Sequence, residues 1–391
     1  MTLKNKILYG RRFRRYLDEL MSGKYRKRLL TKICNPPAGF TTKDDYIGKR
    51  RPSRLRYPIL IKTSTAGTTG KSLTLWRTVD SCILERAFIA RQWLWGGYTI
   101  GEPWVWLRGD MPVPAEQKQP PYWKYKKETN QLMMSSYHLS DDNIPAYLRI
   151  LREFKPALIE AYPSAIYTIA EFCLRNDEKI HIPLIVTSSE TLLGFQRGAI
   201  ERAFGCLLLD RYGNAERTNL IQQCRFGTYH VIEEYSDTLI QGTGSEYGEI
   251  VGTSFNNRAQ PFTRYRTGDF AYKFQKSCTC RCGFEGSFEI GEIVGRLEDM
   301  VITPDGRKIG RLDHVFKGIE GIRKAQITQI GKDMITVNLV SATTPDKGIT
   351  DEVVRNLKAR IGDTMKIKIG FCDDIPNEPG GKFRMVKDCI Q

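Results

Sequence analysis

The sequence predicts an α/β protein with a large N-terminal domain built on mostly parallel sheets, a β-rich subdomain, and a small mobile α+β domain at the C-terminus. Between Asp141 and Asp210, apolar runs of strand length alternate with segments of helical periodicity, which is typical of a parallel sheet. From 229 to 274, short runs between glycines indicate antiparallel strands. After Arg296, two strands, a helix and a third strand indicate a separate unit of about ninety residues, a reasonable small domain.

The individual elements follow from periodicity and from turn residues. Residues 78–95 carry apolar side chains at helical spacing, with Asp80 or Thr78 as the N-cap and Gly96-Gly97 as the stop. The other predicted helices are 141–154, 164–176, 193–204 and 351–362, and the predicted strands are 104–107, 157–161, 184–188, 206–210, 324–330, 335–340 and 366–371. Ligands of parallel sheets bind beyond the carboxyl ends of the strands. Two such ends carry polar residues, at 187–191 and 211–216.

Length and composition limit the classes of protein that fit. A chain of 391 residues suggests about two or three domains. We expect a leader at 1–56, a large domain at 57–298 and a small domain at 299–391. No apolar run approaches the ~18 residues of a membrane span, and the N-terminus lacks the apolar stretch of a signal peptide. The sequence therefore predicts a cytoplasmic protein whose ten cysteines are mostly reduced.

Positive charge is concentrated in the leader. Residues 1–57 contain 17 Lys and Arg against 4 Asp and Glu, whereas the rest of the chain contains 43 against 40. Apolar side chains fall at helical spacing among these charges: Phe13, Tyr16, Leu17, Leu20 and Met21. This pattern is typical of a basic amphipathic helix, which could attract an anionic inner-membrane surface or nucleic acid. It is equally typical of a helix that packs its apolar stripe on the body of the protein.

A hydroxyl- and glycine-rich loop at 62–76 lies between two β-prone runs. Gly67 and Gly70 permit positive φ, so successive backbone N–H groups can point at an anion. Hydroxyl and lysine side chains add donors and charge: Ser64, Thr65, Thr68, Thr69 and Lys71. The nucleotide P-loop pattern fails, because Thr65 occupies the position of its first glycine and no strongly helical segment follows. Alone, the loop is explained equally well as a polar hairpin connection.

Four further motifs follow this loop along the chain. They are Tyr212-Gly-Asn-Ala-Glu216, Tyr265-Arg-Thr-Gly-Asp269, Gly295-Arg-Leu-Glu-Asp299 and Gly381-Lys382. With the loop, they resemble in order the motifs of the AMP-forming adenylating superfamily, which includes acyl-CoA ligases, firefly luciferase and peptide-synthetase adenylation domains. The segments 161–164, 189–190 and 261–269 resemble its phenylacetate-CoA ligase branch, which includes ligase-like proteins of capsular polysaccharide biosynthesis. The resemblance covers residues 57–391.

The resemblance implies a nucleotide site. Residues Ser64 to Lys71 would hold the β- and γ-phosphates of ATP, and Asp269 would accept hydrogen bonds from both ribose hydroxyls. Tyr212 would stack near the adenine. The remaining residues of the implied nucleotide site are Ser189, Glu190 and Gly213. Without the other motifs, Tyr212 is explained as a core tyrosine and Gly268-Asp269 as a turn.

The resemblance also implies roles in the reaction. Glu216 would bind Mg²⁺, a hard cation that prefers oxygen ligands, and Arg296 would contact ribose or phosphate. Asp299 would be the hinge of the small domain. Lys382 would stabilise negative charge at the α-phosphate and the reacting carboxylate. Taken singly, Glu216 is a surface acid that caps a helix and Lys382 a solvated loop lysine.

One group of cysteines is tightly clustered. Cys278-Thr-Cys-Arg-Cys-Gly283 places three thiols within five residues, and Cys224 with His230 lies upstream. A structural zinc site needs four such ligands, and some relatives in the resembled branch carry one. We expect a zinc site at Cys224, His230, Cys280 and Cys282, with Cys278 as a substitute. The alternative is a set of reduced, unliganded thiols.

The expected activity is adenylation of a carboxylic acid with release of pyrophosphate, followed by acyl transfer. CoA is the acceptor that the resemblance implies. An amide-forming ligase that acts on an amino acid or amino sugar in surface-polysaccharide biosynthesis is the second reading. A non-enzymatic nucleic-acid-binding protein would explain the basic leader but not the ordered motifs. Ser72 replaces a proline of the family loop, and residues 301–309 match more loosely, which leaves the second half-reaction open.

Overall fold

A computed structural model of the chain describes residues 10–25, 39–49, 51–53, 55–64, 73–114, 116–242, 247–272, 280–284, 289–296, 301–304, 308–309, 312–316, 319, 321–341, 347–376 and 383–388. The N-terminal elements are α1 (Arg11–Met21), β1 (Leu60–Ser64), β2 (Thr74–Thr78) and α2 (Val79–Trp95). Strands β1 and β2 pair antiparallel, with Ser64 opposite Thr74. The two β-prone runs therefore form a hairpin. The predicted phosphate-binding residues between these two strands in sequence lie outside the described part of the chain: Thr65, Gly67, Thr68, Thr69, Gly70 and Lys71.

Helix α1 packs on the large domain through its apolar stripe. Phe13, Tyr16, Leu17 and Leu20 are buried against α2, and the Tyr16 hydroxyl donates to Asp80 at 2.6 Å. The arginines of α1 face outward. Of the readings that the sequence left open, the packed helix is the one observed, although Met21 of the predicted stripe is exposed. Among the described residues, no helix is both long and apolar enough to cross a membrane.

Helix α2 begins where the sequence predicted. Thr78, one of the two predicted caps, accepts a hydrogen bond from the Ser81 N–H at 3.1 Å, which satisfies one of the free donors at a helix start. The helix ends before Gly96, and the following Gly97 has φ of +93°, a conformation that glycine adopts without strain.

A nine-stranded sheet forms the centre of the large domain. Its elements and the helices between them are β3 (Trp104–Arg108), β4 (Trp123–Lys126), β5 (Gln131–Ser135), α3 (Ile144–Phe154), β6 (Leu158–Ala161), α4 (Pro163–Arg175), β7 (Leu184–Ser188), α5 (Gly194–Phe204), β8 (Leu207–Gly213), β9 (Leu220–Gln223) and β10 (Tyr229–Val231), with β14 (Glu289–Ile290) at one edge. The order is β14-β10-β9-β8-β7-β6-β3-β5-β4. The five strands from β8 to β5 in this order are parallel, as the alternating pattern predicted.

Helices cover both faces of this sheet. Alternate strand residues such as Val105 and Ile185 pack against α3, α4 and α5. Their neighbours Trp104 and Leu184 pack against α1 and α2. Burial on both faces explains why the parallel strands read as continuous apolar runs. The β4–β5 hairpin and the antiparallel strand β9 were not predicted. The polar residues of β9 are buried inside the sheet.

A second, antiparallel sheet follows. Its strands are β11 (Ser236–Gln241), β12 (Tyr247–Ser254), β13 (Tyr265–Tyr272) and β15 (Ile293–Arg296), while β14 (Glu289–Ile290) adds to the nine-stranded sheet. Strand β13 pairs with β15 so that Asp269 lies opposite Arg296. Two of the predicted motifs are therefore brought together by sheet pairing.

The C-terminal part has its own hydrophobic core. Its elements are β16 (Val301–Ile302), β17 (Lys308–Ile309), β18 (Ile322–Gly331), β19 (Met334–Ser341), α6 (Lys347–Ile361), β20 (Lys366–Phe371) and β21 (Val386–Asp388). The last four strands form a sheet of order β20-β19-β18-β21, which is covered by α6. Val353, Leu357 and Ile361 of α6 are fully buried on this sheet, at the spacing of one helix face.

Candidate active site

Three of the predicted motifs meet at the C-terminal end of β8, through Tyr212, Asp269 and Arg296. The Tyr212 hydroxyl donates to Asp269 Oδ2 at 2.7 Å, and Arg296 Nε donates to Asp269 Oδ1 at 3.2 Å. Burial, and next the neighbouring Asp269 charge, raise the pKa of Tyr212 well above its usual value, so the phenol remains a donor. Asp269 is held by a phenol on one oxygen and a guanidinium on the other. Its position is thus fixed before a ligand arrives.

Glu216 has a partner that the sequence analysis did not identify. The Tyr265 hydroxyl donates to Glu216 Oε1 at 3.0 Å, and Arg77 of the β1–β2 hairpin donates to the backbone oxygen of Ala215. The hairpin that carries the predicted phosphate loop is thereby attached beside Glu216. Tyr265 is the first residue of the motif Tyr265-Arg-Thr-Gly-Asp269. In the sequence, membership of this motif was the feature that could have indicated the contact with Glu216.

Glu190 connects the part of the chain that contains the nine-stranded sheet with the C-terminal part. Its Oε2 accepts from the Ser164 N–H at 2.9 Å at the start of α4, and its Oε1 accepts from the Ser164 hydroxyl at 3.0 Å. The same Oε1 accepts from the Phe383 N–H at 3.0 Å. Phe383 follows the predicted catalytic Lys382 directly in sequence. A second contact between the two parts is the ion pair of Arg323 with Glu171 at 3.1 Å.

The remaining predicted site residues are distributed as follows. Ser189 follows β7 with φ of +74°, a strained conformation for a residue with a side chain and one that is frequent at functional sites. Gly213 ends β8 and is exposed, and Ser64 ends β1. Lys382 and Asp299 lie outside the residues that the structure describes. Their proposed roles stay predictions.

The four expected zinc ligands lie together. Cys224 Sγ is 3.5 Å from Cys280 Sγ, and Cys282 Sγ is 3.3 Å from His230 Nε2. All four ligand atoms lie within 4.8 Å of one another. A tetrahedral zinc ion with ligand bonds of about 2.0 to 2.3 Å requires separations of this size, so the donor set fits zinc. Cys278, the substitute ligand, lies outside the described residues.

A family model and a curated relative match this chain. The model describes the CapK C-terminal domain and matches residues 301–388. Protein CapK of Staphylococcus aureus is 28% identical over 338 residues, which covers 85% of this chain and 75% of that protein.

Two ligases are also similar. A phenylacetate-coenzyme A ligase of Thermus thermophilus is 24% identical over 279 residues, 61% of this chain and 62% of that protein. A crystal structure of 2-hydroxyisobutyryl-CoA ligase in the postadenylation state, in complex with R3-HIB-AMP, has a TM-score of 0.67 at 14% identity. This match covers 90% of our chain and 80% of the other. The fold is therefore shared between proteins whose sequences have diverged widely.

Proposed function

Because this chain belongs to the AMP-forming adenylating superfamily, in the branch that includes phenylacetate-CoA ligase and CapK, we propose that it activates a carboxylic acid with ATP and then transfers the acyl group. In the first step a carboxylate oxygen attacks the α-phosphorus of ATP, the bond to the bridging β-phosphate oxygen breaks, and pyrophosphate leaves. In the second step the sulfur of CoA, having lost its proton to solvent, attacks the acyl carbon; the bond from that carbon to the phosphate oxygen breaks, and AMP leaves with its electron pair.

The observation that carries this proposal is the meeting of Tyr212, Asp269 and Arg296 beside Glu216. Asp269, held at 2.7 Å by Tyr212 and at 3.2 Å by Arg296, offers carboxylate oxygens to the two ribose hydroxyls. Arg296 is paired with Asp269 and has 47% of its side chain exposed, so its guanidinium would also contact a phosphate of the nucleotide. These groups position ATP and neutralise its charge, which a reaction between two anions needs more than it needs a protein nucleophile.

Glu216 and Lys382 complete the proposed machinery. Glu216, half-buried and held by Tyr265, would hold Mg²⁺, because a carboxylate is the ligand type that this ion prefers. When bound, Mg²⁺ supplies positive charge next to the phosphates. Lys382 would bring its ammonium group to the α-phosphate and the reacting carboxylate from the segment that Glu190 anchors through Phe383.

The proposal is tested by carboxylate-dependent exchange of labelled pyrophosphate into ATP over a panel of aryl, fatty, amino and sugar acids and diacids. We expect exchange that requires one class of acid. Calorimetric titration with ATP accompanies the panel. A protein that binds no ATP would overturn the proposal, since the nucleotide site is its foundation.

The acceptor is tested in a second assay. The match to CapK fits surface-polysaccharide biosynthesis and favours a second candidate, transfer of the acyl group to an amine of an amino acid or amino sugar. The enzyme loaded with acyl-adenylate is therefore offered CoA or an amino sugar, and the product is identified by mass spectrometry. A thioester supports the first candidate, and an amide formed in preference to it supports the second.

The zinc cluster would have a structural role. Cys224, His230 and the segment with Cys280 and Cys282 come from separate stretches of the chain, so one ion would tie β9, β10 and that segment together. A closed site with four protein ligands has no open position for catalysis.

Substitution of Cys224 by Ser is expected to remove zinc from the purified protein and to lower its melting temperature by several degrees, because metal binding contributes directly to folding. Zinc is measured by elemental analysis and melting by calorimetry. The control is Cys372→Ser, an exposed thiol outside the cluster. Wild-type protein that carries no zinc and melts at the same temperature with and without added zinc would contradict the assignment.

A further inference from the structure

Four strand ends adjacent to the proposed nucleotide site hold a buried charge network. Glu160 of β6 is fully buried. Its Oε1 accepts from Arg108 Nη1 at 3.1 Å and from Arg211 Nη2. Arg108 Nη2 also donates to the Ser189 hydroxyl. These residues belong to β3, β6, β8 and the turn after β7, so the network runs along one edge of the sheet.

The network has more positive than negative charge. Burial acts to raise the pKa of Glu160, but Arg211, Arg108 and Arg86 outweigh it and hold the pKa below its usual value, so Glu160 is a carboxylate. Two guanidinium groups, those of Arg108 and Arg211, therefore hydrogen-bond to one buried carboxylate. Asp110, which is exposed and lies two residues after Arg108 in the chain, accepts from the Trp106 indole at 2.5 Å.

Arg108 lies on the side of the site away from the nucleotide. In the sheet, β8 is followed by β7, β6 and β3, and neighbouring strands are about 4.8 Å apart. Tyr212 and Arg108 thus stand on strands on the order of 14 Å apart. The anchor of the Lys382 segment, Glu190, follows β7, between them. An acid whose carboxylate reacts there would extend its other end over β6 toward Arg108.

The guanidinium of Arg108 is held in a fixed orientation. Its Cζ lies 4.8 Å from the centre of the Trp106 ring and 5.1 Å from that of Tyr162. Of its side chain, 17% is exposed. Its Nε is buried and has no hydrogen-bond partner among the described residues, so a ligand would meet Arg108 at its terminal nitrogens.

Resting on the proposed function, we propose that Arg108 is a specificity-determining residue that binds a second carboxylate at the far end of the substrate, which is therefore a dicarboxylic acid. Each terminal nitrogen of Arg108 has a second N–H beyond the one given to Glu160 or Ser189, and a carboxylate accepts such a pair of guanidinium donors. An alkyl or aryl end would remove water from the guanidinium without replacing its hydrogen bonds, which is unfavourable. Because Arg108 is already oriented by two rings, little conformational entropy is lost when it binds.

The test is calorimetric titration of the full-length protein, with and without ATP, using matched acids: succinate, glutarate and adipate against butyrate, pentanoate and hexanoate, with phenylacetate as the aryl acid. We expect one diacid to bind more tightly than its monoacid. Arg108→Gln should weaken binding of that diacid roughly 30-fold or more, as loss of one partner of a buried charge pair does. It should leave the affinity for ATP unchanged.

Two variants make the result specific. Arg108→Lys keeps the charge but loses the fork, so it should bind the diacid with intermediate affinity; it also serves if the Gln variant does not fold. Arg149→Gln, the same change at an exposed arginine of α3, should behave as wild type. Preference for monoacids or phenylacetate, or diacid binding that Arg108→Gln leaves intact, would overturn the inference. Failure to bind ATP would instead overturn the proposed function. The two failures can be distinguished, because binding of the acids is also measured in the absence of ATP.

Discussion

Replacement of Asp269 by Asn is expected to lower carboxylate-dependent pyrophosphate exchange roughly 100-fold or more, since each hydrogen bond to a charged group contributes about 1.5–3 kcal/mol and two ribose hydroxyls would lose a charged acceptor. The isosteric amide also loses its ion pair with Arg296, now 3.2 Å from Asp269. Exchange rates and the dissociation constant of ATP by calorimetry provide the measurement. We expect the loss mainly in ATP affinity.

Two controls separate the nucleotide role of Asp269 from a structural one. Tyr212→Phe removes the 2.7 Å hydrogen bond to Asp269 but keeps both the carboxylate and the ring, so we expect a much smaller loss. Asp177→Asn makes the same chemical change at an exposed position, with 87% of the side chain accessible, and should be silent. If Asp269→Asn retained wild-type affinity for ATP, its assignment to the ribose would be wrong.

Substitution of Lys382 by Ala is expected to lower the rate of adenylate formation by about 10² to 10³, the typical loss when one group that stabilises transition-state charge is removed. ATP affinity should change little, because the ammonium would act on charge that develops during the reaction. The measurement is single-turnover release of pyrophosphate with the acid that the panel identifies.

The second half-reaction provides the internal control for Lys382. Chemically prepared acyl-adenylate, mixed with the Lys382→Ala protein and CoA, should be converted at close to the wild-type rate. Lys332→Ala, at an exposed turn between β18 and β19, is the matched substitution elsewhere in the C-terminal part. Equal loss in both half-reactions would indicate a role in folding or docking, and full retention of the first would exclude Lys382 from the adenylation step.

Local patterns determined the parallel core and the composition of the proposed site. The alternation of strands and helices between Asp141 and Asp210 follows from periodicity, and β7 spans the predicted residues 184–188. The same holds for the basic helix and for Thr78 as the cap of α2, since caps and amphipathic stripes depend on residues a few positions apart. The order of the motifs indicated the superfamily, and the cysteine spacing indicated which four ligands to examine.

Contacts between distant segments could be decided only by the tertiary structure. The sequence left open whether α1 would meet a membrane or the protein, and burial of Phe13 against α2 decided it. The partners of Glu190 lie 26 residues before it and 193 residues after it. Arg108 lies 52 residues from Glu160 and 81 from Ser189. Periodicity carries no information at such separations, because strand order, not distance along the chain, brings strand ends together at the edge of a sheet.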